Sequence, residues 1–268
     1  MLQVSLASVL SGLACTPQPP TRDQDLIWVE PGRYSLGSDA GERELGYRLS
    51  SSVIRTQHWY DLWERAPRSV DLTGFWLERT PVTQAAYAAF VRETGHRAPD
   101  ISAKEYRKQG FLVHSYATVQ RYRWTDGDPP ADARSHPVVL VSRTDARAYC
   151  HWRGRRLPTE DEWEAACRGL EHRRFPWGPE WGSNRRAQVQ ASGTAPVDAH
   201  PAGATPSGIL DLAGNVFEWT ASKFDAQRAT LRGCAWDDAP GTCRCAFRHG
   251  RPAEARHILI GFRCAAGA

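Results

Sequence analysis

Residues 175–268 carry no apolar run with a helical repeat; the stretch is dense in Gly, Pro and Trp. Gly and Pro cut a chain into turns and short extended pieces, so this region is expected to fold as brief strands joined by tight loops. Such a fold needs large side chains to fill the space beneath its loops. The composition supplies them as eleven Trp against a single Met, beside 22 Gly and 18 Pro. That balance points to aromatic anchors under loops rather than Leu-rich helices packed on one another. A chain of 268 residues can bury a substantial core. Its net charge of +4 comes from Arg scattered among Asp and Glu. A nucleic-acid groove needs basic residues concentrated on one face, so that partner class is not expected.

Upstream, the pattern is mixed. Residues 26–29 and 34–36 read as short strands around the Pro31-Gly32 turn, and residues 70–77 alternate like a strand. Tyr87, Phe90 and Val91 give residues 83–94 helical spacing, closed by Gly95. Residues 144–153 read as a second helix stopped at Gly154, and Thr159 with Glu162 forms a capping box that opens a third. Residues 40–66 are charged and irregular and are expected as a surface insertion. Residues 96–136 show no period and are expected as a long loop. No internal repeat or membrane-spanning run is present. The expected class is α+β, one loop-rich domain over residues 26–268 with little regular secondary structure.

The N-terminal residues stand apart. Residues 2–13 form an apolar run too short to span a bilayer, ending in Ala14-Cys15 and followed by Thr16-Pro17-Gln18-Pro19-Pro20. The run resembles a bacterial lipoprotein signal, in which Cys15 becomes the lipidated N-terminus; the alternative is a frayed extension. The first reading expects an exported protein, a periplasmic or outer-membrane lipoprotein with a membrane tether at Cys15. Residues 1–15 are then the signal and 16–25 a Pro-rich linker. Seven cysteines is an odd count, and removing Cys15 leaves six, a number suited to disulfides in an oxidising compartment.

A series of short motifs runs through the chain in fixed order: Val29-Glu30-Pro31-Gly32, Leu36-Gly37-Ser38, Arg79-Thr80-Pro81-Val82-Thr83, Pro137-Val138 and Asp145-Ala146-Arg147-Ala148-Tyr149-Cys150. It continues with Arg156-Leu157-Pro158-Thr159-Glu160, Glu162-Trp163-Glu164, Pro176-Trp177-Gly178 and Gly214-Asn215-Val216-Phe217-Glu218-Trp219. Leu231-Arg232-Gly233 and Gly261-Phe262-Arg263 close it. Over residues 26–266 this order resembles the formylglycine-generating enzyme family, also called sulfatase-modifying factors. The resemblance implies a fold related to C-type lectin-like modules and two disulfides, Cys150–Cys264 and Cys167–Cys245.

It also implies an active-site loop, and here the chain departs from the pattern. Family enzymes oxidise a substrate cysteine with oxygen on copper(I) held by two thiolates, the soft ligands that ion requires. The corresponding segment reads Gly233-Cys234-Ala235-Trp236. Counting forward from Trp236 puts the thiol positions on Asp238 and Cys243; counting backward from Arg244-Cys245-Ala246 puts them on Ala235 and Pro240. Neither count gives a pair of cysteines. Cys234 and Cys243 flank a short turn, and three states stay open for them: a third disulfide, a relocated redox or copper site, or free thiols. Calcium is the other implied cofactor, with Asp211, Gly214, Val216 and Glu218 as oxygen donors and Asn184 matching one ligand of a second site. The alternative is that these residues only stitch loops together.

His114, His136, His151, His172, His200, His249 and His257 show no ligand spacing and are expected as surface or structural residues. Trp59, Trp63 and Trp124 are expected to pack rather than to bind. The leading expectation for function is a cell-envelope member of the family without copper-thiol oxidase activity, acting as a binding or assembly module for a protein or peptide partner. The alternative is a metal-dependent oxidase of a peptide cysteine or small molecule, using Cys234 and Cys243 with copper, or a non-haem iron. A formylglycine generator proper is the third reading.

Overall fold

The computed structural model describes residues 25–267, and the expectations for residues 1–15, Cys15 and most of the linker lie outside them. Strand β1 (Leu26–Val29) leads through the Pro31 turn into β2 (Gly32–Leu36). Helices α1 (Ala40–Arg48), α2 (Ser52–Thr56) and α3 (Trp59–Trp63) follow, then β3 (Arg68–Leu72) and β4 (Phe75–Glu78). The middle of the chain holds α4 (Gln84–Thr94), α5 (Ala103–Lys108), α6 (Tyr116–Gln120), α7 (Arg143–Trp152) and α8 (Glu160–Arg168). The remainder is β5 (Phe217–Lys223), β6 (Ala229–Arg232), β7 (Arg248–Arg251), β8 (Ile260–Gly261) and β9 (Ala265–Gly267). Three sheets result: β1-β4-β9, the β2-β3 ribbon, and β7-β6-β5-β8, in which only the β5–β8 pair is parallel. The α+β, loop-rich architecture is as expected. No described helix is long and apolar enough to cross a membrane.

The strand expected over residues 70–77 is divided between two sheets. Val70 pairs with Tyr34 in the ribbon, whereas Phe75 to Leu77 pair with both β1 and β9. The break falls at Gly74, where a Cβ would lie inside the Trp28 ring, so the chain passes directly under that side chain. The caps explain the three expected helices. Thr83 accepts from Ala86 N and Gly95 closes α4 at φ 68°, while Ser142/Asp145 and Thr159/Glu162 form capping boxes at α7 and α8.

Two expectations need correction. Residues 40–66 form three short helices, and residues 96–136 form α5 and α6. Helices of five or six residues are too short to display a 3.6-residue period; at α5 and α6 the sequence signal lies in the caps instead, Ser102 with Glu105 and Ser115 accepting from Thr118 N, and the nine-residue α1 is capped by Asp39 accepting from Glu42 N. Nor is the 40–66 segment only a surface insertion. Tyr60 is fully buried, and Arg244 forms a fully buried ion pair with Glu64 at 2.5 Å.

The motif residues form the charged interior. Glu218 receives Arg263 through both carboxylate oxygens at 2.7 Å and Trp163 Nε1 at 2.8 Å. Glu164 accepts from Gly37 N at 2.7 Å and pairs with Arg168 and Arg232 at 2.8 and 2.9 Å. Glu78 accepts from Cys264 N at 2.7 Å and pairs with Arg155. Removing one partner of such a pair strands a charge in the interior and costs about 3–5 kcal/mol. Disulfides Cys150–Cys264 and Cys167–Cys245 form as the resemblance implied, tying α7 and α8 to the C-terminal segments. Cys234 and Cys243 form a third, with Cα atoms 4.9 Å apart.

Candidate functional site

Alternation along two strands separates this charged interior from a second polar region. On β5, Glu218 enters the Arg263 network while its neighbour Phe217 lines a cavity of about 90 Å³. On β7, Arg248 reaches Glu160, and His249 and Arg251 line the same cavity. Trp59 of α3, Phe111, Phe247 and Leu259 complete its apolar walls. The remaining wall is Asp237-Asp238, in the loop closed by the Cys234–Cys243 disulfide. Asp238 Oδ2 accepts from Ala235 N at 2.8 Å, a side-chain-to-backbone bond that ties the start of the loop to Asp238.

The rings are stacked around the polar groups. His249 lies on Trp63 with ring centres 4.4 Å apart, and His257 lies 4.2 Å from Phe111. The Arg251 guanidinium sits 3.7 Å over the Phe111 ring. His114 meets Asp237 Oδ2 at 2.9 Å and packs on Trp236. Four buried polar atoms here have no hydrogen-bond partner: Asp237 Oδ1, His249 Nδ1, Arg251 Nε and His257 Nε2. Ten buried side-chain polar atoms among the described residues lack a partner within the protein, and these four gather in one place.

Burial sets the charge states. It pushes the Asp238 carboxyl up to about 8, with Asp237 beside it adding to the effect. It also raises Asp237, against the pull of His114. His249 is held well below the usual histidine range by burial and by Arg251, and His257 is pushed down to about 3. Burial with Arg228 nearby lowers Arg251 only to about 10, so it remains charged at neutral pH. The cavity therefore offers the neutral Asp238 carboxyl, a neutral imidazole, the Asp237 carboxyl shared with His114, and the Arg251 guanidinium, which forms no ion pair among the described residues.

The sequence-derived candidates divide. Asp238, one of the positions reached by counting along the altered loop, lies on the cavity wall. Cys234 and Cys243 are both fully buried and bonded to each other, the first of the three states left open for them. The calcium set does not come together as an open site. Glu218 is occupied by Arg263 and Trp163, and Asp211 Oδ2 accepts from Asn215 Nδ2 at 2.9 Å. Burial pushes the Asp211 carboxyl up to about 7. Gly214 O accepts from Val216 N, and Gly214 N donates to Cys234 Sγ. Asn184 is spent on Trp181 and Gln190. Among the described residues no group of three or more His, Cys, Asp or Glu could hold a metal ion. The residues present fit loop-stitching, not calcium.

Trp124 is buried and donates to Gln84 at 2.6 Å, as the packing expectation required, and Trp63 packs against Phe247. Trp59 does both: it stacks on Trp63 and lines the cavity. His249, Arg251, Phe111 and Asp237 were missed by sequence reasoning. The available signal was the alternation Arg248-His249-Gly250-Arg251 directly after the Cys245 motif.

Comparison with known proteins agrees with this architecture. The family model described as the sulfatase-modifying factor enzyme 1-like domain matches residues 14–268. The chain is 32% identical to the bovine (Bos taurus) protein named inactive C-alpha-formylglycine-generating enzyme 2, over 91% of this chain and 88% of that protein. It is 32% identical to hercynine oxygenase of Mycobacterium tuberculosis over 75% of this chain and 55% of that protein. The solved structure of PvdO from Pseudomonas aeruginosa superposes with a TM-score of 0.71 at 20% identity, covering 94% of this chain and all of the other. On the family match and the length of the shared sequence, this chain is a member of the formylglycine-generating enzyme family.

Proposed function

We propose that this chain is a binding member of the family that does not carry out copper-thiolate oxidation, and that its ligand enters the cavity beside the altered loop. The observation that carries this reading is the Cys234–Cys243 disulfide: the only cysteines of the loop are joined and buried, leaving no thiolate pair for copper(I). A relative of 32% identity bears the name of an inactive enzyme, which agrees with it. The six described cysteines would all be oxidised in the mature protein, in keeping with an exported, cell-envelope location and a tether at Cys15. The partner in this reading is a protein, a peptide or a small molecule that presents a group small enough for the cavity.

The test combines three measurements on the purified protein. A thiol count under denaturing, non-reducing conditions is expected to find no free thiol among Cys150, Cys167, Cys234, Cys243, Cys245 and Cys264. Copper(I) titration is expected to show no stoichiometric uptake, and a cysteine-containing peptide is expected to stay unoxidised with copper and oxygen. Copper-dependent oxidation that disappears in Cys243→Ser would overturn the reading. Labelling with a lipid precursor, compared between wild type and Cys15→Ser, tests the tether.

A further inference from the structure

We infer that the cavity between β7, α3 and the 234–243 loop binds a small aromatic carboxylate, with Arg251 taking the carboxylate and the surrounding rings taking the apolar body. The inference rests on the binding reading above and names its ligand class. The molecule's fully buried arginines (Arg168, Arg232, Arg244 and Arg263) each face a carboxylate, and the half-buried Arg251 is the contrast. Its Nε is buried without a partner. Neither acid sharing the cavity forms an ion pair with it: Asp237 meets His114 through Oδ2, and burial raises the Asp238 carboxyl to about 8. His114, the imidazoles of His249 and His257, and Arg228 beyond Arg251 contribute no negative charge.

Three polar atoms of the cavity lining are unmet, Asp237 Oδ1, His249 Nδ1 and Arg251 Nε, and the Arg251 guanidinium is a charged group there with no ion pair among the described residues. A cationic ligand would be repelled. A neutral apolar ligand would fill the walls but leave the guanidinium desolvated and unpaired. A carboxylate answers both, since guanidinium and carboxylate meet in paired, charge-assisted hydrogen bonds. The protonated Asp238 can donate to the same oxygens. Size limits the body to about one ring. An enclosed cavity that holds benzene measures roughly 150 Å³. The cavity here is about 90 Å³ and open. The carboxylate therefore sits inside and the ring extends towards the mouth, where Trp59 and the exposed Val113 stand.

Titration of the full chain with benzoate, benzamide and benzylamine at pH 6.5, followed by calorimetry, tests the charge preference. Benzoate is expected to bind at least about tenfold more tightly than either of the others. Arg251→Gln should abolish that preference, and Arg251→Lys should keep the preference for benzoate over benzylamine. Because Asp238 ionises in alkaline solution, benzoate affinity should fall about fivefold or more between pH 6.5 and 9, and Asp238→Asn should flatten the profile. A peptide ending in free-acid phenylalanine, set against its amide, separates the two sources of this chemistry; binding tighter than benzoate assigns the site to a peptide terminus. Benzamide or benzylamine binding as tightly as benzoate would overturn the carboxylate assignment and leave a binding site of other chemistry. Failure of benzoate to bind folded protein at roughly 10 mM would overturn it outright. The thiol and copper measurements judge the parent reading separately.

Discussion

Two buried polar regions lie on opposite faces of the same strands, and they meet the cost of desolvation in opposite ways. Around Glu218, Glu164 and Glu78, each carboxylate meets a guanidinium and at least one N–H donor. Around Asp237, His249 and Arg251, buried polar atoms lack partners within the protein, and burial keeps Asp238 and the His249 imidazole neutral. The first arrangement pairs every one of these carboxylates in the folded chain, with Arg232 Nε left over, and stabilises it. The second leaves polar atoms unpaired within the protein, in keeping with the ligand site proposed above.

The contrast can be broken most directly at its complete side. Arg263→Met would leave Glu218 buried with no opposite charge, and is expected to cost about 3–5 kcal/mol in chemical denaturation. A loss below about 1 kcal/mol would show that Glu218 is not sealed from water.

The disulfides grade the two regions next. Cys150 and Cys264 close a span of 114 residues, whereas Cys234 and Cys243 close nine. In the chain-entropy account, replacing the first pair by Ala should cost about 5 kcal/mol and the second about 2.5 kcal/mol. Equal losses would mean that the short disulfide holds the cavity wall as well as the chain.

On the incomplete side the sign reverses. Asp238 keeps its proton in the folded chain up to about pH 8 and loses it near pH 4 when unfolded, so the folded state binds more protons across that window. Its contribution is therefore present at low pH and is lost as pH rises through the window. Asp238→Asn should match wild type near pH 4 and exceed its stability at pH 8.5 by about 1–3 kcal/mol. A variant less stable than wild type at pH 8.5 would place Asp238 in the paired class. The smallest expected effect is calcium: because Glu218 is already occupied by Arg263, adding the ion should move Tm by less than about 1 °C. A larger rise would restore Asp211 and Glu218 as ligands.

Legibility in the sequence followed locality. The helices at residues 83–94 and 144–153 and the cap at Thr159 were readable because period and cap are local signals, and α4, α7 and α8 follow them closely. The five-residue helices of residues 52–63 were not, because one turn of helix has no period to show. Asp238 was singled out by counting along the altered loop, but its role as a neutral wall group was not visible. Nothing local to Asp238 says that Phe247, His249 and Leu259 will cover it.

By itself the sequence determined the family, the loop-rich α+β class, the two scaffold disulfides that family membership implied, and the loss of the usual thiol pair. These reside in residue identity and order. Only the tertiary structure decided between disulfide and open thiols for Cys234 and Cys243, turned Glu218 from a calcium candidate into the partner of Arg263, and gathered Arg251, His249 and Asp238 around one cavity. The reason is that charge state and pairing depend on which groups a fold brings within a few ångströms and which it seals from water, and residues distant in sequence supply both.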